Sequence, residues 1–202
     1  MKPPPVLAPA VDGGATSRAR DDRACPPPPD GRDLWIFAYG SLIWDPGFPF
    51  EEARPAKLMG YHRAFCLYST RYRGTPERPG LVLGLDKGGS CRGIAYRVAN
   101  AHREATMAYL WDREMLNRSY HCMDLQVTLQ DARAVVARTF VIDRKGRAYA
   151  GKLTQAETAR IIRDAHGQRG ANAVYLANTV EHLDRLGLKD RRLSALLAAV
   201  KA

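Results

Sequence analysis

FAYGSLIW, residues 37–44, opens as a strand and then stops being one. Phe37, Ala38 and Tyr39 suit a half-buried strand, and Leu42, Ile43 and Trp44 are apolar again. Gly40 and Ser41 interrupt the run, and Asp45-Pro46-Gly47 ends it with turn residues. Two explanations fit such an interruption. One is a β-bulge. The other is a backbone that opens to hold an anion with its own N–H groups.

Strand-like segments surround this stretch. Alternating or continuous apolar runs fall at 34–39, about 56–69, 81–85, 90–98, 123–129 and 133–142. Gly88-Gly89 reads as a hairpin turn between 81–87 and 90–98. Residues 74–80 (GTPERPG) read as a loop. Helical spacing appears at 103–117. Thr154 and Glu157 form a capping box opening a second helix that should end near Gly167. A third helix runs from about Asn172 to Leu186, with Gly187 as its stop signal, and a short one follows Asp190. Six strands in mostly antiparallel hairpins with a few helices predict an α+β domain, with closure of the sheet into a barrel as one option.

Residues 1–32 hold most of the chain's thirteen prolines and few large apolar residues. They are expected to form a disordered Pro-rich tail, leaving 33–202 as the single folded domain. The 202 residues carry four cysteines and five histidines, scattered without CxxC or HxxxH spacing, so no metal site is expected. Thinly spread cysteines, no secretory h-region and no apolar run long enough to span a bilayer point to a cytoplasmic protein without a membrane partner. A net charge of +10, from 31 Lys+Arg and 21 Asp+Glu, favours anionic ligands. The arginines are dispersed from Arg18 to Arg192 without a basic run, so a solvated surface is expected and no nucleic-acid partner.

The helix HREATMAYLWDREML, 102–116, carries the sharpest chemical signal. On a helical wheel Met107, Ala108, Leu110, Trp111 and Met115 form an apolar arc, and Glu114 falls inside it, whereas Asp112 and Arg113 point away. A carboxylate there is costly unless paired or employed. Burial would raise its pKa toward neutrality, which suits a group that takes and returns a proton. An ion pair with Arg118 or a more distant arginine is the structural alternative.

Five segments together resemble the ChaC-type, glutathione-specific γ-glutamylcyclotransferases: YGSLIW (39–44), RGTPERPG (73–80), CRGIAYRV (91–98), YLWDREM (109–115) and NAVYL (172–176). The resemblance spans roughly 33–190. It implies a small, mostly antiparallel β-barrel of the cyclotransferase-like fold with flanking helices. It also implies a lyase-type reaction, without metal or organic cofactor, that splits glutathione into 5-oxoproline and Cys-Gly. By resemblance, the YGSL backbone (Tyr39, Gly40, Ser41, Leu42) holds the γ-glutamyl group, Glu114 is the acid/base and Tyr175 belongs to the pocket. Arg73 either pairs with a substrate carboxylate or makes a loop salt bridge. YHCMD, 120–124, departs from the family pattern and would line the leaving-group side. Ser41 lacks the GxSxG context of a serine nucleophile, and Cys66, Cys91 and Cys122 read as packing residues. Other γ-glutamyl amines or peptides are alternative substrates. A non-catalytic anion or nucleic-acid binding protein is the reading from another class, against which a buried Glu114 speaks.

Overall fold

A computed structural model describes residues 33–115 and 119–202. The expected tail at 1–32 and the proposed partner Arg118 lie outside the described residues. Five strands close into a barrel in the order β1-β3-β2-β4-β5: β1 (Leu34–Ala38), β2 (Glu52–Ser69), β3 (Gly80–Val98), β4 (Tyr120–Leu129) and β5 (Ala134–Ile142). All pairings are antiparallel except the closing one, where β1 runs parallel to β5 with Trp35 opposite Ala137.

The barrel has five strands rather than six because 81–87 and 90–98 are one strand. β2 and β3 pair from Glu52–Arg97 to Ser69–Gly80, so the hairpin turn is the 70–79 loop and not Gly88-Gly89. Gly88 (φ 102°) and Gly89 (φ 70°) instead sit at an irregularity opposite Gly60 (φ 81°), where the register slips between Met59 and Tyr61. Three residues free to adopt positive φ let this long hairpin bend around the barrel.

Alternation along β1 divides the core. Phe37 joins Leu58, Leu85, Val127 and Val141 in a cluster drawn from all five strands, which fills the barrel. Leu34, Ile36 and Ala38 face the other layer, shared with helices α1 (Arg103–Glu114), α2 (Gln155–Asp164), α3 (Asn172–Arg185) and α4 (Arg191–Lys201). Leu110, Ile162, Leu176 and Leu193, one from each helix, are 2 % exposed or less.

Local signals account for the helix ends. The Thr154 side chain accepts from the Glu157 amide and Glu157 accepts from the Thr154 amide, closing the capping box. Gly187 takes φ 67° after α3. Asp190 caps α4 by accepting from the amides of Arg192 and Leu193. α2 stops at Asp164, earlier than expected, because 166–167 pairs with 170–171 as a two-residue ladder (β6, β7). Asn172, fully buried, acts as an extra rung: its side chain accepts from the Leu81 amide (2.6 Å) and donates to the Leu81 carbonyl (2.7 Å). This fixes the start of α3 against the start of β3.

Candidate active site

The break in FAYGSLIW is a single 3₁₀ turn, Ser41–Ile43, placed directly beyond β1. The Ile43 amide donates to the Gly40 carbonyl (2.9 Å) and the Asp45 amide to the Ser41 carbonyl (3.0 Å). Such a turn leaves its first N–H groups, those of Ser41 and Leu42, without acceptors inside the turn. Two contacts hold it from behind. Tyr96 Oη donates to the Ile43 carbonyl at 2.7 Å, and the buried Arg63 donates through Nε to the Tyr39 carbonyl at 2.5 Å. Arg63 also donates to the Arg92 carbonyl (2.6 Å) and pairs with Asp190 (2.8 Å), joining the turn to two strands and the cap of α4.

A cavity of about 80 Å³ opens beside the turn. Tyr39, Gly40, Ser41 and Leu42 form one wall, Glu114 another, and Tyr120 and Tyr175 a third. Six of the seven site residues expected from the sequence therefore share one cavity. Arg73 stands one layer out. Its guanidinium lies 4.8 Å from the centre of the Tyr175 ring and donates to the Arg169 carbonyl at 2.5 Å. It is neither a cavity wall nor half of an ion pair with an acidic side chain among the described residues.

Glu114, the last residue of α1, keeps 18 % of its side chain exposed. Burial pushes its carboxyl pKa up from the ordinary value, and Arg113, with Nε 3.6 Å from Oε1, partly opposes the shift. Tyr39 and Tyr120 are pushed well above the usual phenol range by burial, each with Glu114 as a further cause. Tyr175 is raised to about 12, again mainly by burial. The site thus collects three neutral hydroxyls and one carboxyl poised to accept a proton.

Two participants differ from the wheel-based reading. Arg113 does not point to solvent: it donates to Ser41 Oγ (3.0 Å), to the Asp45 carbonyl (2.8 Å) and to Tyr109 Oη (2.6 Å). It straps the turn onto α1, so the residues before and after Gly40 are held by two different arginines. Conversely Ala108, assigned to the apolar arc, is exposed. Tyr120, from the segment that departs from the family pattern, is a cavity wall and donates to the Leu83 carbonyl at 3.0 Å. Cys66 and Cys91 are buried thiols with pKa values pushed up to about 12 and about 11, so both are packing residues.

Comparison with known proteins follows the same lines. The family model described as ChaC-like protein matches residues 34–202. The chain is 40 % identical over 173 residues, 86 % of its length and 75 % of the relative's, to the glutathione-specific gamma-glutamylcyclotransferase of Escherichia coli (strain K12). It is 34 % identical to gamma-glutamylcyclotransferase 2-3 of Arabidopsis thaliana, covering 83 % of this chain and 88 % of that one. The crystal structure of a yeast gamma-glutamyl cyclotransferase specific to glutathione superposes with a TM-score of 0.76 at 24 % identity, over 84 % of this chain and 96 % of that one, and bears on the fold.

Proposed function

Because the chain belongs to the ChaC-like protein family, we propose that it cleaves glutathione into 5-oxoproline and Cys-Gly, in the cytoplasm and without a metal or organic cofactor. The observation that carries the reading is the juxtaposition of a carboxyl whose pKa burial has raised with the amide end of a 3₁₀ turn, in one cavity.

The substrate supplies its own nucleophile. Glu114, as carboxylate, takes a proton from the α-ammonium group of the γ-glutamyl unit. The freed amine nitrogen attacks the γ-carbonyl carbon, forming the lactam C–N bond and an oxyanion. The Ser41 and Leu42 amides are the donors for that oxyanion, and they are pre-set because Tyr96, Arg63 and Arg113 already hold the turn. Glu114, now protonated, returns its proton to the cysteinyl nitrogen as the old amide C–N bond breaks. The lactam nitrogen gives up its second proton to the regenerated carboxylate, which passes it to the departing amine, so Cys-Gly leaves as the ammonium and proton and bond count close without water. Tyr39, Tyr120 and Tyr175 stay neutral and shape the cavity. Arg73 supports Tyr175 from outside and adds positive charge near the mouth, where an anionic peptide arrives.

Incubation of the purified protein with glutathione, followed by mass spectrometry, tests the proposal. Stoichiometric 5-oxoproline and Cys-Gly are expected. Release of free glutamate in place of 5-oxoproline would replace cyclisation by hydrolysis.

A further inference from the structure

A second and larger cavity, about 620 Å³, lies between the β2–β3 hairpin and the N-terminal ends of α2 and α4. It has no wall in common with the cavity around Glu114. Its volume falls within the roughly 300–1,000 Å³ typical of small-molecule sites.

The walls are chemically lopsided. Lys87, Lys152, Arg191 and Arg192 all line it, and none of these side chains has an acidic or hydrogen-bonding partner among the described residues. Arg63 and Arg144 line it too, but their charges are taken up by Asp190 (2.8 Å) and Asp86 (2.6 Å). Asp86, the acidic member of the wall, therefore has nothing left to offer the other four cations. Like charges gathered on one concave surface repel, and an anion of several charges relieves them. The remaining wall has an apolar part, from Phe65, Leu153, Leu193 and Leu196, beside the neutral polar side chains of Gln155 and Thr158 and the imidazole of His62. Such a surface suits a flat apolar body rather than a bare inorganic ion.

We propose that this cavity is a second ligand site, which binds a nucleoside polyphosphate: a polyanion for the four unpaired cations, carrying a base for the apolar wall. Arg63 gives the site a direct mechanical link to catalysis, since the same guanidinium holds the Tyr39 carbonyl. Occupancy is expected to alter glutathione turnover through that contact.

Calorimetric titration of the full chain with ATP, and separately with pyrophosphate, at about 150 mM salt tests this under substantial screening. One saturable ATP site is expected, with pyrophosphate at least about tenfold weaker for want of the base. The double substitution Lys152→Ala/Arg192→Ala should weaken ATP at least about tenfold while leaving melting temperature and ATP-free glutathione turnover unchanged. Glu114→Gln should bind ATP like the parent. Absence of saturation, or a double variant that binds as the parent does, overturns the site. Pyrophosphate binding as tightly as ATP overturns the role given to the apolar wall. Loss of ATP binding in Glu114→Gln would put the anion in the first cavity, and tighter binding of a single-stranded RNA oligomer than of ATP would make the groove a nucleic-acid surface; either result overturns the proposal.

Discussion

Glu114 is held where its ionised form is disfavoured, so it costs stability at the pH where it would work. Folding raises its pKa above the unfolded value of about 4.5. The neutral carboxyl's contribution is therefore complete below that value and is lost as pH rises through the folded pKa. Glu114→Gln should match the parent's melting temperature at acid pH and exceed it at pH 8, while kcat falls about 10²–10⁴-fold. A mutant less stable than the parent at pH 8 would show the carboxylate to be half of a stabilising ion pair instead. Arg113 makes the complementary case. It lowers the Glu114 pKa and ties Ser41 to α1. Arg113→Met should move the acidic limb of the kcat/KM profile to higher pH, because the free enzyme needs the carboxylate, and should raise KM as the turn loosens. A profile that shifts down or not at all would remove Arg113 from the site's electrostatics.

The 3₁₀ turn and α3 each bring a wall to the cavity. α3 brings Tyr175 to the cavity because Asn172 is stitched to both backbone groups of Leu81. Asn172→Ala orphans a buried amide and a buried carbonyl, at about 1–3 kcal/mol each. Thermal unfolding should show that loss, and Asn172→Asp, which keeps the acceptor but not the donor, should recover part of it. Full stability in Asn172→Ala would mean that α3 is anchored by its apolar face alone. The elements also differ in how far the sequence foretold them. The Thr154 and Glu157 cap was legible because all its bonds are local. Gly88-Gly89 was misread as a hairpin because a bulge and a turn share the same glycine signature, and the choice lies with a partner strand remote in sequence. Arg113 was misread for a related reason: a helical wheel knows the helix but not residues 41–45, which fold over it. Glu114 was legible because the apolar arc around it belongs to its own helix. Arg73 carried the right charge in the right loop, but its distance from the cavity depends on stacking against Tyr175, which no local pattern encodes.

At the scale of the molecule, the ChaC-like match begins at residue 34, where β1 begins. A chain starting at Asp33 should keep both turnover and melting temperature, since every barrel strand and helix among the described residues lies after it. A large drop in either would assign those residues a packing role. Exhaustive dialysis against EDTA should likewise leave turnover intact; activity lost and then restored by zinc would require a metal in the reaction. The parallel pairing of β1 with β5 has a consequence for how the protein is made. β1 and the turn behind it leave the ribosome first, yet their neighbours in the barrel are β3 and β5, and the carboxyl that faces the turn lies between those two in the chain. Phe37 can pair with β3 once that strand is made, but the barrel around it does not close until the fifth strand has been synthesised. No nascent chain shorter than that has a site at all. A premature stop before β5 therefore produces a sticky fragment for chaperones and proteases rather than a weakened enzyme.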